Sequence, residues 1–263
     1  MIKKLDKDCF SFMLMNMKII KELEDLQSEM QEWRRDIHAH PEIAFEEHRT
    51  AQIVADKLES FGIEVETGIA GTGVVGTLRK GMGNRSIGLR ADLDALLINE
   101  TNDFEYKSKT PGQMHACGHD GHTTMLLGAA KYLSEQGNFD GTVNFIFQPA
   151  EENEGGGRAM IEDGLFDKYP VESIYGMHNI PGMPVGSFAI KPGPIMAAFD
   201  IFNLKVIGRG GHAAMPQTTI DPIIVGTKII DAFQAIVSRS IDPQEPSVLS
   251  VTQFHGGDAY NVI

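Results

Sequence analysis

The segment Met114–His122 concentrates side chains that bind metal ions. It holds three histidines, an aspartate and one of the two cysteines of the chain, with two glycines that let the backbone fold around them. A thiolate and an imidazole spaced Cys-x-His, here Cys117 and His119, can bind one small cation. The other cysteine, Cys9, lies in an irregular N-terminal stretch, so a disulfide does not explain Cys117. A free core cysteine beside helix-capping histidines is the alternative, and it fits this density of ligand types poorly.

Three predicted strands carry acidic or imidazole side chains at their carboxyl ends. The strands are Ser86–Asp92, Gly141–Gln148 and Ser173–Met177. Asp92, the adjacent pair Glu151 and Glu152, and His178 stand at or shortly after those ends. In open α/β sheets the carboxyl ends of the strands form the edge where ligands bind. We therefore predict that these side chains converge on one site.

Each of these side chains also has a simpler interpretation. Asp92 is a candidate ligand, a partner that orients a ligand histidine, or an ordinary turn residue at the end of a strand. Glu151 and Glu152 form an exposed acidic loop if no metal is near, because adjacent carboxylates repel each other. Beside a cation, the same pair supplies one coordinating carboxylate and one free general base.

Apolar residues at i, i+3 and i+4 spacing predict helices before and between the strands. The helices cover Lys18–Ala39, Glu46–Phe61 and Thr123–Ser134, and two further strands cover Ile63–Thr67 and Gly73–Leu78. We expect Asp120 to cap the third helix, with His119 in the loop before it and His122 in its first turn in a supporting role. His38 and His40, near the end of the first helix, suit either metal binding or stabilisation of the helix end.

The proline- and glycine-rich stretch from Pro181 to Pro194 predicts a boundary between a domain of residues 1–190 and a domain of residues 191–263. The second domain is predicted as a β-α-β unit. Its strand, helix and strand are Ala198–Ile207, Asp221–Ser238 and Ser247–Phe254. His212 lies in a glycine-rich turn of this domain, where it is either a substrate contact or a solvated loop residue.

The bulk composition narrows the range of functions. The net charge of −13 argues against nucleic acid or an anionic membrane as partner, because both attract basic surfaces. Two cysteines without a pairing pattern indicate a reducing compartment, so we predict a cytoplasmic protein. Residues 1–16 have the character of a dispensable leader, and no stretch of the sequence approaches the length of a membrane span.

Seven motifs, taken in order along the chain, resemble the M20 family of metallopeptidases and aminoacylases. The motifs are Arg35–Glu42, Leu89–Leu96, Met114–His122, Gln148–Glu152, Gly176–Asn179, Gly208–Pro216 and Gly256–Ile263. The match is closest to the amidohydrolase branch, which includes hippurate hydrolases and N-acyl-amino-acid deacylases. The resemblance implies a two-domain α/β fold: a mixed-sheet hydrolase core with helices on both faces, and a smaller α+β lid and dimerisation domain.

The resemblance also implies a site for two divalent metal ions. Cys117 would bridge the ions, and Glu151 would act as the catalytic base. The further ligands would be His119, Glu152 and His178. Other branches of the family have a ligand histidine two residues before the aspartate that matches Asp92, and this chain has Arg90 there. The resemblance implies that His119 replaces that ligand.

The second domain has its own implied roles. His212 would contact the substrate or its oxyanion, Asn261 would lie near the amino-acid carboxylate, and the domain would form a homodimer. In the family, the catalytic domain resumes after the lid and supplies a last histidine ligand. We therefore expect the lid over residues 191–263 to be incomplete and the returning segment of the catalytic domain to be missing.

Together these features imply a hydrolase of N-acyl amino acids, such as hippurate-like or N-acetyl compounds. Metal-bound hydroxide would attack the amide carbonyl, with Glu151 as general base. Zinc or manganese is expected first, with cobalt and nickel as the other candidates, because thiolate, imidazole and carboxylate ligands suit all four. The alternatives are a metallo-aminopeptidase of similar chemistry, and an inactive truncated chain that keeps partial metal binding and associates through its lid.

Overall fold

The computed structural model describes residues 11–13 and 19–263 of the chain. The chain divides into two compact units, with the division between Ile190 and Lys191. The leader predicted over residues 1–16 lies outside the described residues except for a short strand β1, Ser11–Met13. This strand pairs antiparallel with β7, Phe188–Ile190.

A five-stranded mixed sheet forms the centre of the first unit. Its strands are β2 (Glu64–Ile69), β3 (Gly73–Lys80), β4 (Ser86–Asp92), β5 (Gly141–Gln148) and β6 (Ser173–Gly176). They lie in the order β2-β3-β5-β4-β6. β3 is antiparallel to both of its neighbours, whereas β4 is parallel to both β5 and β6. The mixed sheet confirms the predicted α/β class, and β4 and β5 have the predicted bounds.

Helices cover both faces of this sheet. They are α1 (Lys21–Asp25), α2 (Gln27–Ala39), α3 (His48–Ser60), α4 (His119–Glu135), α5 (Gly156–Glu162) and α6 (Leu165–Lys168). Because successive side chains of a strand point to opposite faces, Val74 and Phe145 pack with α2, α3 and α4, whereas Val75 and Ile146 pack with α5 and α6. The two apolar layers hold the central strands β3 and β5 rigidly between them.

Two helix predictions need correction. The first predicted helix is interrupted at Leu26, and its expected start at Lys18 lies outside the described residues. Helix α4 begins at His119, and its N-cap is Gly118, with φ of +92°, rather than Asp120. Asp120 is inside the first turn, where its carboxylate accepts hydrogen bonds from Arg34 and His38 instead of capping backbone amides.

The second unit contains helix α7, Pro222–Ala235, followed by a π-helical turn at Ile236–Ser240. Asp221 caps α7, because its carboxylate accepts the backbone N–H groups of Ile223 and Ile224. A 3-10 turn precedes the helix at Pro216–Thr218.

The two strands predicted to flank α7 do not form. Residues 198–207 and 247–254 have extended apolar patterns but are not strands in the structure. Leu204 and Val248 are 59% and 87% exposed, although Phe202 contacts the ring of Phe233 on α7. A strand needs a partner backbone, and the described residues of this unit provide only isolated bridges.

Among the described helices, none has the length and apolar character that crossing a membrane requires.

Candidate metal centre

The candidate site lies at the carboxyl ends of three neighbouring parallel strands. The β4–β5 register pairs Asp92 with Gln148, so the two strands end at the same level of the sheet. β6 runs parallel on the other side of β4 and ends two residues before His178. Helix α4 directs its N-terminus to the same edge. The ends of β4, β5 and β6 and the start of α4 are far apart in sequence, but the sheet brings them together.

His119, fully buried at the first position of α4, lies at the centre of the cluster. Its Nδ1 donates a hydrogen bond to the backbone carbonyl of Asp94 at 2.8 Å, which leaves Nε2 free to coordinate a ligand. Nε2 is 3.6 Å from Asp92 Oδ2, 3.6 Å from Glu152 Oε1 and 4.0 Å from Glu151 Oε2.

These spacings fit ligands that share an ion better than they fit hydrogen bonds. A distance of 3.6 Å is too long for a hydrogen bond. Two oxygen or nitrogen atoms that each lie about 2.1 Å from a tetrahedral ion are roughly 3.4 Å apart. His119 Nε2 and Glu152 Oε1 are buried without a hydrogen-bond partner in the described residues. Buried polar atoms are rarely left unpaired, and a cation shared by these two atoms would satisfy both.

Cys117 and His178 form a second edge of the same cluster. Cys117 Sγ lies 3.3 Å from His178 Nε2, and the potential ligand atoms of Cys117, His119 and His178 all lie within 4.8 Å of one another. Burial and the neighbouring carboxylate of Glu152 raise the pKa of the Cys117 thiol to about 12. A thiolate at Cys117 would therefore need a cation close by.

The electrostatics of the cluster also favour a cation. Burial alone would lower the pKa of His119, but the Asp94 carboxylate beside Nδ1 and the charges of Asp92 and Glu152 raise it. Carboxylates outnumber fixed positive charges here, and among the described residues Arg90 is the one cation that contacts Asp92 other than histidine. A proton on His119 or a metal ion can supply the compensating charge.

Asp92 is fully buried and bonded on both oxygens. Arg90 Nη1 donates to Oδ2 at 2.7 Å, and His122 Nδ1 donates to Oδ1 at 2.7 Å. Burial alone would raise the pKa of Asp92, but the His122 hydrogen bond and the Arg90 charge hold it well below its usual range. Asp92 is therefore an ionised carboxylate that holds the side chains of His122 and Arg90. The Arg90 guanidinium forms an ion pair with Asp92.

His122 links α4 to the loop that carries His178. Its Nε2 lies 2.6 Å from the side-chain amide oxygen and 3.2 Å from the backbone nitrogen of Asn179. The Asn179 side chain in turn packs on Gly118, where a Cβ atom would lie only 2.5 Å from Oδ1. The left-handed backbone and the absent side chain of Gly118 thus let the loop before α4 contact the loop that carries His178.

The two glutamates that follow β5 have different environments. Glu152 donates its backbone N–H to Asp94 at 3.0 Å, and its carboxylate faces His119. Glu151 is more exposed, and burial together with the charges of Asp92 and Glu152 raises the pKa of its carboxyl, against the opposing effect of His119. A carboxylate whose pKa is raised above its usual range is a better proton acceptor than an ordinary surface glutamate.

The histidines near the end of α2 lie in a separate cluster. His38 contacts Asp120 at 2.9 Å and Glu100 at 3.2 Å, so both ring nitrogens are occupied. His40 Nδ1 donates to the carbonyl of Asp36 at 2.8 Å, which is the helix-end arrangement. His115 is buried without a partner for either nitrogen, and burial lowers its pKa to about 4. Among the described residues, none of the three belongs to a potential metal-binding group.

His212 and Asn261 belong to the second unit. His212 forms an isolated bridge with Val262, and the Ala213 N–H donates to the Asn261 carbonyl at 3.0 Å. The Asp221 side chain is used in capping α7. His212 and Asn261 are therefore neighbours within their unit, and their roles toward a substrate stay predictions.

Two residues that hold the site had no separate role in the sequence interpretation. Asn179 was part of a motif, and Glu47 was one helical residue among others, yet both make buried or partly buried contacts with site segments. For Asp94, the sequence offered one indication, the Asp-x-Asp pattern that begins at Asp92, the last residue of β4. Glu47 had no local signal, because its partners are distant in sequence.

Comparison with known proteins gives consistent matches. The hippurate hydrolase of Campylobacter jejuni is 51% identical over 247 residues, which cover 94% of this chain and 64% of that protein. The N-acyl-L-amino acid amidohydrolase of Geobacillus stearothermophilus is 46% identical, with 92% of this chain and 65% of that protein covered. The chain thus spans just under two thirds of the length of these relatives.

A solved structure and a family profile agree with these relatives. The YXEP protein of Bacillus subtilis, described as a dinuclear metal-binding peptidase from the M20 family, has a TM-score of 0.58 and 40% identity, covering 62% of this chain and 46% of that one. The profile of Peptidase family M20/M25/M40 matches residues 88–262, which include every side chain of the candidate metal cluster. The chain belongs to Peptidase family M20/M25/M40.

Proposed function

We propose that the chain carries the catalytic site of a metal-dependent amidohydrolase that cleaves the amide bond of N-acyl amino acids. The single observation that carries this proposal is the space around His119 Nε2. There, the unpaired atoms His119 Nε2 and Glu152 Oε1 lie among further potential ligand atoms of Cys117, His178 and Glu151 at metal-ligand spacing. The relatives named hippurate hydrolase and N-acyl-L-amino acid amidohydrolase support the reaction class.

We propose Cys117, His119, Glu152 and His178 as the ligands of two divalent ions, and the description of the YXEP protein as a dinuclear metal-binding peptidase supports the number of ions. The donor set of thiol, imidazole and carboxylate fits zinc first and also manganese, cobalt and nickel. Asp92 is proposed to orient His122 rather than to coordinate directly, because Arg90 and His122 already occupy its two oxygens.

Glu151 is the proposed general base. Bound metal ions would polarise the acyl carbonyl and lower the pKa of the attacking water. Glu151 accepts the proton that this water loses, and its raised pKa favours holding that proton until the amide bond breaks. It then donates the proton to the leaving amine nitrogen. Cleavage therefore yields a free carboxylic acid and a free amino acid without an external proton source.

The remaining assignments extend the proposal to the whole protein. We propose His212 and Asn261 as contacts to the oxyanion and the substrate carboxylate, a homodimer formed through residues 191–263, and a cytoplasmic location. These rest on the motifs that resemble the family, and on the cysteine content, as set out above.

The test is a substrate panel with metals added back. The purified chain is treated with a chelator and then supplied with zinc, manganese or cobalt, and hydrolysis is followed on hippurate, N-acetyl amino acids and unblocked dipeptides. Metal-dependent release of amino acid from N-acyl substrates is expected. Preference for unblocked dipeptides would favour the metallo-aminopeptidase instead. Metal binding without turnover on any substrate would refute the amidohydrolase proposal for this chain.

A further inference from the structure

The buried carboxylate of Glu47 holds a backbone turn next to the candidate site. Glu47 is 0% exposed at the start of α3, and its Oε1 accepts the backbone N–H of Ala150 at 2.8 Å. Its Oε2 accepts the hydroxyl of Thr72. Burial raises the pKa of this carboxyl, and the Thr72 and Ala150 hydrogen bonds oppose that rise. Burying a carboxyl group costs free energy, so the position of Glu47 in the interior calls for a structural reason.

Helix capping does not explain the position of Glu47. It stands at the N-cap of α3, but its side chain makes no capping hydrogen bond. Glu42 does this instead, accepting the backbone N–H groups of Arg49 and Thr50 at 2.8 Å each. Because Glu42 satisfies the helix amides, the Glu47 carboxylate is free to point into the protein toward the end of β5.

Ala150 is the residue whose conformation Glu47 fixes. It is fully buried, follows Pro149 at the end of β5, and has a φ of +50°. A residue with a Cβ atom rarely adopts this left-handed region unless its surroundings determine it. The Ala150 carbonyl is held as well, since it accepts the N–H of Gly156 at 2.9 Å. Both polar groups of this strained residue therefore have fixed partners.

The turn directs the two glutamates that follow it. Glu151 and Glu152 come directly after Ala150, and the backbone N–H of Glu152 donates to the buried carboxylate of Asp94 at 3.0 Å. The amides of Ala150 and Glu152, on either side of Glu151, are thus bound by two interior carboxylates, Glu47 and Asp94. Asp94 also contacts His119. Glu47, in contrast, contacts Ala150 and Thr72 and none of the proposed ligands.

We infer that Glu47 is a positioning residue for the glutamate pair, acting through the left-handed turn at Ala150. It sets the direction of the proposed base Glu151 and of the proposed ligand Glu152. The inference rests on the proposed function for those two roles. A side chain that only filled space would be better apolar, whereas fixing a strained amide requires an acceptor in this one place.

The test compares three substitutions with a matched control. Glu47→Gln keeps an acceptor for the Ala150 amide, Glu47→Asp keeps the charge but is one methylene too short, and Glu47→Ala removes the acceptor. Leu58→Ala is the control, because Leu58 is equally buried on the same helix but packs in the apolar core away from the turn. For each purified chain we measure the thermal midpoint, cobalt affinity, the thiolate-to-cobalt absorption, and kcat and KM for hippurate.

Glu47→Ala and Glu47→Asp are expected to lose roughly tenfold to a hundredfold in cobalt affinity and in kcat, as is usual when a residue that holds metal ligands in place is changed, whereas Glu47→Gln loses less than about threefold. KM should change little. Leu58→Ala should lower the thermal midpoint with kcat and cobalt affinity kept. Equal losses in Leu58→Ala, or no recovery in Glu47→Gln, would overturn the inference. Glu47→Asp answers the question if Glu47→Ala does not fold.

The cobalt measurements separate this inference from the proposed function. If the unsubstituted chain binds cobalt but hydrolyses no N-acyl amino acid, the proposed function fails, and the cobalt affinities of the variants still decide the role of Glu47. If the unsubstituted chain binds no cobalt, both fail together, because there is then no ligand for Glu47 to position.

Discussion

Two clusters of histidines and carboxylates lie in the first unit, and they differ in how completely their polar atoms are paired. In the cluster around His38, both ring nitrogens have carboxylate partners, and those carboxylates are bonded further by Arg34 and the Ser108 amide. In the cluster around His119, Nε2 has three carboxylate neighbours at 3.6–4.0 Å and no hydrogen bond. The same residue types therefore serve different purposes.

The difference shows what separates a structural network from a ligand site. A saturated network has no place for another ion, because every lone pair and proton is used. An unsaturated one keeps lone pairs directed at a common point, at a cost in stability that a bound cation removes. Residue type and spacing in sequence do not distinguish the two, whereas the pairing of individual atoms does.

The largest effect should come from the proposed base in the unsaturated cluster. We expect Glu151→Gln to lower kcat for an N-acyl amino acid by roughly 10²- to 10⁴-fold, because proton transfer is lost while the shape is kept. Metal content, measured by atomic emission, should stay at the level of the unsubstituted chain. Full activity with metal present would remove Glu151 from the role of base.

The saturated cluster should respond in stability instead. We expect His38→Gln to lower the free energy of unfolding by about 3 kcal/mol, because Asp120 and Glu100 lose a buried partner. Urea unfolding measures this, with zinc affinity determined on the same samples. Zinc affinity should not change. A His38 variant that loses metal but keeps its stability would show that the two clusters are not functionally distinct.

Adding metal should stabilise the chain through one cluster alone. At zinc concentrations a hundredfold above Kd, the free energy of unfolding should rise by about 2.7 kcal/mol, since metal binds the folded state. The increment should persist in His38→Gln and disappear in Cys117→Ser. Thermal unfolding with and without chelator measures it, and an unchanged increment in Cys117→Ser would exclude this cysteine as a ligand.

The smallest effect is the pH dependence of the saturated cluster. The hydrogen bond to Asp120 raises the pKa of His38, with burial opposing and Glu100 assisting. The stabilisation is therefore complete below the unfolded pKa of about 6.5 and is lost as pH rises through the higher folded value, at up to about 1.4 kcal/mol per pH unit. The stability difference between the unsubstituted chain and His38→Gln should shrink between neutral and alkaline pH. A constant difference would contradict the assigned ion pair.

The sequence predicts the sheet better than it predicts the ends of the helices. β4 has the predicted bounds because apolar residues alternate with others along Ser86–Asp92, and β5 has them because the mostly apolar stretch Gly141–Gln148 ends at Pro149. The predicted start of α4 was wrong because aspartate is a good N-cap residue when only the local sequence is considered, and the prediction therefore chose Asp120. Its real partners, Arg34 and His38, lie far away in sequence, and tertiary ion pairs outweighed the local preference.

The strands predicted beside α7 were wrong for a related reason. Apolar runs such as Ala198–Ile207 show that a segment can form a strand, but not that a partner strand is there to accept its hydrogen bonds. For the site, residue types were enough to indicate Cys117, His119 and the glutamate pair. They could not indicate Glu47, because a carboxylate that binds a distant backbone amide resembles any helical glutamate.

The glycine between Cys117 and His119 limits how this protein can be redesigned. Position 118 is in the left-handed region, and any Cβ atom there would collide with Asn179, whose side chain His122 holds in place. The two positions therefore form one unit in any combinatorial library. Changing residue 118 alone combines backbone strain with a collision, and a smaller residue at 179 would relieve the collision but release the loop that carries His178. An altered metal preference is better sought among the ligands themselves than in the contact that joins their loops.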